Sequence, residues 1–287
     1  MMERVTKLCI GLALGLGVVA TSAHAVDLAF YAGPPNPGWI SEQAVERETN
    51  DMVDGLAGIF DSVTIFGDGD EVGYDSPLGL WTKDHTSNGQ KDVLIISCGT
   101  MPSGLYQFPN ADPDGSRIED YFDGGNVVIN IADWFGYMSY EGGVRSADNG
   151  GAGAANILDI PGQSFGSRSN NMEVNADGEK YLPSLEDFTT ARPWHLEQFD
   201  GTDWDVTPFA LSGNQDADPA VAVNSVTGGV LACIIQKDWP LPNDDDDNRG
   251  EVVVEFVTNW LTDKGHLGLS VDSGGKLSTI WGNLKQE

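Results

Sequence analysis

Apolar residues cluster along this chain in short, uninterrupted runs separated by turn residues. Residues 26–32 (VDLAFYA), 62–66 (SVTIF), 92–97 (DVLIIS) and 126–132 (NVVINIA) read as strands, and two later runs, 220–223 and 230–235, read the same way. Runs that are apolar at every position are expected for strands buried on both faces, as in a parallel sheet. Helical spacing interleaves with them. Residues 41–56 place Ala44, Met52, Val53 and Leu56 on one face behind Ser41, a residue suited to capping a helix start. Residues 116–122 form a short helix closed by Gly124-Gly125, and 251–263 form the last, with Val253, Phe256, Val257 and Trp260 on one face.

Strands alternating with helices through short loops predict an α/β protein, flavodoxin-like, with three αβα layers around a mostly parallel sheet. Between 149 and 188 the pattern is weak. Residues 149–155 are small, 156–160 and 162–168 read as loop or short strand, and 185–188 as a single turn. No internal repeat is present.

The N-terminus has a different character. Arg4 and Lys7 precede an apolar run of 13 residues, Leu8 to Ala20, and Ala23-His24-Ala25 has the small-x-small form of a cleavage site. Residues 1–25 therefore read as a signal peptide, 26–265 as one domain and 266–287 as a C-terminal tail. The expected location is outside the cytoplasm, periplasmic or extracellular. Apart from that leader, no stretch is long and apolar enough to predict insertion into a membrane. After cleavage two cysteines remain, Cys98 and Cys233, both in apolar runs; the pattern favours two buried, reduced thiols over a disulfide.

Charge narrows the function. Fifteen Lys and Arg stand against 44 Asp and Glu, a net charge of −29. Such a chain has no basic face for nucleic acid and no attraction to an anionic membrane. The acids are scattered, which fits solubility more than one binding surface. No cofactor is predicted. Calcium is the one ion the pattern leaves open, at residues 110–115 (NADPDG) and at the run Asp244 to Asp247. The first resembles half a calcium loop, but Tyr121 stands where a bidentate Glu is expected. His85 and His266 lack metal-ligand spacing.

The order of segments resembles the class I glutamine amidotransferase-like superfamily, in particular its ThuA-like (trehalose utilisation-like) branch. The segments that carry the resemblance are 92–99 (DVLIISCG), 122–125 (FDGG) running into NVVINIADW, 156–162 (NILDIPG), 218–239 and 255–261 (EFVTNWL). Active members of that superfamily carry a Cys nucleophile in the turn after the fourth strand and a later His-x-Glu. Here the turn reads Ile131-Ala132-Asp133-Trp134, without Cys. Cys98 lies one strand too early, in the segment that supplies backbone oxyanion donors in active members. His195-Leu196-Glu197 matches the His-x-Glu pattern. The resemblance thus implies the fold without the glutaminase nucleophile.

Ligands of open α/β sheets bind beyond the carboxyl ends of the strands. That rule selects the loops 33–39, 99–104 and 133–141. They contain Trp39, Gly99, Thr100, Ser103, Asp133, Trp134, Tyr137, Tyr140 and Glu141, with Cys98 just before the second loop. Aromatic rings beside carboxylates suit a small polar ligand such as a sugar. A binding domain is the leading expectation. Two others remain: an extracytoplasmic hydrolase using Asp133 with His195 and Glu197, and a structural envelope protein attached through 270–287.

Overall fold

A computed structural model of the chain describes residues 26–166, 170–213, 215–237 and 247–267. Residues 1–25, read above as a signal peptide, the acids Asp244 to Asp246 and residues 270–287 lie outside the described residues.

The main sheet has seven strands. They are β1 (Asp27–Tyr31), β2 (Ser62–Phe66), β3 (Val93–Ile96), β4 (Val127–Ile131), β8 (Trp204–Pro208), β11 (Ala220–Asn224) and β12 (Val230–Ile234). Their order is β2-β1-β3-β4-β12-β11-β8. The first five are mutually parallel, while β11 runs antiparallel to both β12 and β8. Every residue of β3, β4 and β12 is buried, as their unbroken apolar runs require. Edge strand β2 exposes Val63 and Ile65.

Helices cover the sheet. α1 (Glu42–Gly55) follows β1, α2 (Pro77–His85) follows β2, and α3 (Arg117–Asp123) follows β3. α6 (Arg249–Glu255) continues as a π-helical segment over Phe256–Leu261. Each of the first three starts on a serine: Ser41, Ser76 and Ser116 accept a backbone N–H from the first turn. α1 packs on α6 and α2 on α3. Right-handed crossovers put these two pairs on opposite faces of the sheet.

The weakly patterned middle of the chain holds more structure than its sequence predicts. After α4 (Gly151–Ile157) come β5 (Asn170–Val174), α5 (Ala176–Tyr181), β6 (Phe188–Thr190), β7 (Trp194–His195), β9 (Ala210–Ser212) and β10 (Asp216–Ala217). The five strands form a second, antiparallel sheet, ordered β6-β5-β9-β10-β7. The three-layer reading lacked this sheet. Its strands are two to five residues long and too short to show a period. The segment 149–155, read as merely small, supplies α4, and the segment 67–77 leads directly into α2.

Cys98 and Cys233 are both buried and free, with no disulfide between them.

Candidate functional site

The first four parallel strands end at one level. Register pairs Tyr31 with Ile96 and Ile96 with Asn130. The loops after β1, β3 and β4 therefore leave side by side. Chain order reverses between β1 and β3, since β2 lies on one side of β1 and β3 on the other. That reversal is where an open α/β sheet leaves a crevice at its carboxyl edge.

Asp133 sits in a constrained turn after β4. Ala132 has φ of +71°, and the Asp133 N–H donates to the Ile131 carbonyl at 2.9 Å, the i to i+2 bond of a γ-turn. An alanine held in the left-handed region marks stored strain. Gly99, also at φ +71°, lies against this turn: a Cβ there would stand 2.4 Å from the Ile131 carbonyl oxygen and 2.6 Å from the Asp133 nitrogen. The Asn130 amide fixes the far side by donating to the Asp133 carbonyl at 2.8 Å.

The carboxylate itself is buried and fully partnered. One oxygen accepts from Asn36 Nδ2 at 2.9 Å, the other from the Trp134 N–H at 2.7 Å. Burial pushes the Asp133 carboxyl up to about 6, against the pull of those two donors and of Arg192 and Arg145. Asn36 comes from the rigid GPPNPG loop, where its Oδ1 also accepts from the Gly38 N–H and the Tyr140 hydroxyl.

Arg192, whose charge acts on Asp133, joins an aromatic rim. The Arg192 guanidinium sits over the Trp39 ring at 4.5 Å and over the Trp134 ring at 5.2 Å. Trp134 stacks on Tyr137 at 4.8 Å, and the Tyr137 hydroxyl donates to Asp148. Trp39, Trp134, Tyr137 and Tyr140 are all half-buried. The Trp134 indole N–H has no hydrogen-bond partner.

The β3 side of the crevice is more enclosed. Thr100 Oγ1 donates to the Pro34 carbonyl at 3.1 Å and lies 3.2 Å from the Cys98 sulfur. Burial pushes the Cys98 thiol up to about 11. Glu141 Oε1 accepts from the Ser103 N–H at 2.5 Å. Beneath them, the Tyr31 hydroxyl and both oxygens of Glu71 are buried without a hydrogen-bond partner. Burial raises the Tyr31 phenol, with the nearby Cys98, Glu71 and Glu141 charges adding to it, and burial raises the Glu71 carboxyl.

His195 and Glu197 stand elsewhere. His195 is on β7, where its Nδ1 pairs with Asp216 Oδ1 at 2.8 Å. Its ring also closes on Gly166, where a Cβ would meet Nε2 at 2.3 Å. No hydrogen bond joins His195 to Asp133 among the described residues. Glu197 is exposed in the turn Leu196–Phe199, and Asp216, not Glu197, is the carboxylate that orients the imidazole.

The crevice thus gathers Trp39, Cys98, Gly99, Thr100, Asp133, Trp134, Tyr137 and Glu141 at one edge and leaves His195 and Glu197 in the second sheet. Sequence reasoning missed Asn36, Arg192, Tyr31 and Glu71. Asn36 had a signal, a polar residue fixed among three prolines. Arg192 had none, because it reaches the rim from the loop between β6 and β7, in a sheet that the sequence does not reveal. Among the described residues, no group of three or more His, Cys, Asp or Glu side chains is placed to hold a metal ion. In the 110–115 loop, Asp112 instead accepts from the Tyr74 hydroxyl. No described helix is long and apolar enough to cross a membrane.

The fold is a mixed α/β one with a mostly parallel seven-stranded sheet, and the loops that carry these residues leave it at its switch point. No protein-family model matches the chain. No curated protein matches it either. A solved structure described as a ThuA-like protein from Bacteroides uniformis is similar over 82% of this chain and 89% of that one, at 11% identity and a TM-score of 0.43. That similarity is distant.

Proposed function

We propose that this chain is an exported ThuA-like domain that binds a small polar ligand, a carbohydrate in the first instance, and performs no thiol chemistry. The observation behind the reading is the rim of Trp39 and Trp134 around Arg192, whose charge acts on the buried Asp133. The half-buried Trp39 ring suits stacking on the apolar face of a sugar, and the Arg192 guanidinium suits its oxygens. Export rests on the leader-like residues 1–25, and the ThuA-like assignment on the five segments and their order.

Cys98 is the only thiol at the crevice, and it is a poor nucleophile. It is buried, hydrogen-bonded to Thr100 and held as the neutral thiol. His195, committed to Asp216, does not activate Asp133 either.

A thermal-shift panel of sugars and small organic acids on residues 26–287 tests the proposal. A ligand at about 100 times its Kd stabilises the native state by about 2.7 kcal/mol, enough to move the midpoint by several degrees. A sugar is expected to raise the midpoint, and Trp39→Ala and Trp134→Ala to abolish that rise while each variant still unfolds cooperatively. Sugar binding that survives both substitutions contradicts the site.

A further inference from the structure

Arginines gather at the rim in a chain that has few of them. The sequence sets 44 Asp and Glu against 15 Lys and Arg. Among the described residues, Arg47 pairs with Glu48, Arg249 pairs with Asp247, and Arg117 lies over the Tyr74 ring. The two other described arginines, Arg145 and Arg192, belong to the rim.

Their places are fixed by contacts. The Arg192 guanidinium lies over the Trp39 ring at 4.5 Å and over the Trp134 ring at 5.2 Å. Arg145 is linked to the same rings in three steps. It meets Asp148 at 2.7 Å, Asp148 accepts from the Tyr137 hydroxyl at 3.1 Å, and Tyr137 stacks on Trp134 at 4.8 Å. Both arginine charges also act on Asp133.

The acceptors beside these arginines are already engaged. Asp133 takes the Asn36 amide on one oxygen and the Trp134 N–H on the other. Asn36 Oδ1 takes the Gly38 N–H and the Tyr140 hydroxyl. Asp148 takes Arg145 and Tyr137. The hydroxyl hydrogens of a neutral sugar therefore meet acceptors that protein donors already occupy. A guanidinium is the converse, a planar fork of five donors with no acceptor. A carboxylate only accepts, and it can take two of those donors at once. The Arg145–Asp148 pair is exposed at the surface, 47% and 33%, and such pairs are weak enough for an incoming anion to share the guanidinium. The overall charge of −29 does not forbid an anion, because salt screens exposed charges beyond about 8–10 Å.

We propose that the rim selects acidic sugars, the hexuronates, an inference that rests on the Trp39–Trp134 rim being the ligand site: the sugar ring stacks on Trp39, its carboxylate pairs with the Arg192 fork, and Arg145 adds a second positive charge. The rim is thus selective by charge as well as by shape.

Calorimetric titration of the protein tests it, with glucuronate, galacturonate, glucose and malonate as separate titrants. At least one uronate is expected to bind about tenfold more tightly than glucose, the worth of one charge-assisted contact. It is also expected to bind more tightly than malonate, which has carboxylates but no ring to stack. Arg192→Gln is expected to bring the uronate and glucose to about equal affinity, and Arg145→Gln to narrow their ratio severalfold. Arg145 is exposed, so that variant keeps its fold; an unchanged melting temperature without ligand checks both variants. Glucose bound as tightly as the uronates, and lost in Trp39→Ala, would overturn the acidic-sugar preference and leave the sugar-binding rim standing. Malonate bound as tightly as the uronates and untouched by Trp39→Ala would make this a site for small acids and overturn the preference. Neither uronate binding, or a uronate preference unchanged in both arginine variants, would overturn it as well.

Discussion

Asp133 and Gly99 depend on each other. The turn that presents the carboxylate brings the Ile131 carbonyl and the Asp133 nitrogen so near Gly99 that any side chain there meets backbone, which cannot swing aside. The positive φ at Gly99 adds a second penalty for any L-residue with a Cβ. Gly99→Ala should therefore destabilise the chain by more than about 2 kcal/mol, measured by urea unfolding. A loss below about 0.5 kcal/mol would mean that the turn relaxes freely and that Asp133 is not held as described. At this scale the sequence was partly legible. The position of Asp133 followed from the strand before it. Its partner Asn36, 97 residues away, did not, because a hydrogen bond between loops leaves no periodic trace. The same holds for His195, whose real partner Asp216 is its cross-strand neighbour in a sheet with no visible alternation.

Among the elements, the helices of the parallel half show how local signals fix boundaries. Ser116 and Glu119 form a reciprocal capping box: the Ser116 N–H donates to Glu119 at 2.8 Å, and the serine hydroxyl faces the Glu119 N–H. Ser116→Ala should lower stability by about 1 kcal/mol, as read from the urea midpoint, and leave the binding rim intact. An unchanged midpoint would show that α3 is held by packing alone. This helix, α1 and the strands β1 to β4 were readable because each carries a full run of apolar positions or a cap. α2 was hidden: it is nine residues long, its apolar residues do not gather into one stripe, since Leu78 is buried and Leu80 exposed, and only Ser76-Pro77 marks its start. The second sheet was hidden for a different reason. A strand of two residues, such as β7 or β10, cannot show alternation. Its pairing is set by the long-range partners that the fold delivers.

Over the whole molecule, buried carboxyl groups and net charge act together. Burial pushes Asp133 up to about 6, and Glu48 and Asp218 up to about 7. In each case the folded state holds its proton to a higher pH than the unfolded chain does. Their contribution is therefore fully present below the unfolded carboxyl range, near 4, and fades as pH rises through 6 to 7. Raising Asp133 from 3.8 to about 6 costs its charged form about 3 kcal/mol at most. A net charge of −29 adds self-repulsion of the same sign. The unfolding free energy should thus fall between about pH 4 and pH 7, and Asp133→Asn should flatten part of that slope. A stability that rises with pH over this range would contradict the burial of these groups as neutral acids.

The central claim is that a small polar ligand sits on the Trp39–Trp134 rim, and fluorine NMR locates a ligand among tryptophans most directly. The protein would be labelled with fluorotryptophan, with Trp39→Phe and Trp134→Phe used to assign the two rim signals, and titrated with a sugar that raises the melting temperature. The Trp39 and Trp134 signals are expected to move with one common affinity while the buried Trp194 and Trp260 signals stay in place. Movement confined to other tryptophans, or none at saturating sugar, would contradict it.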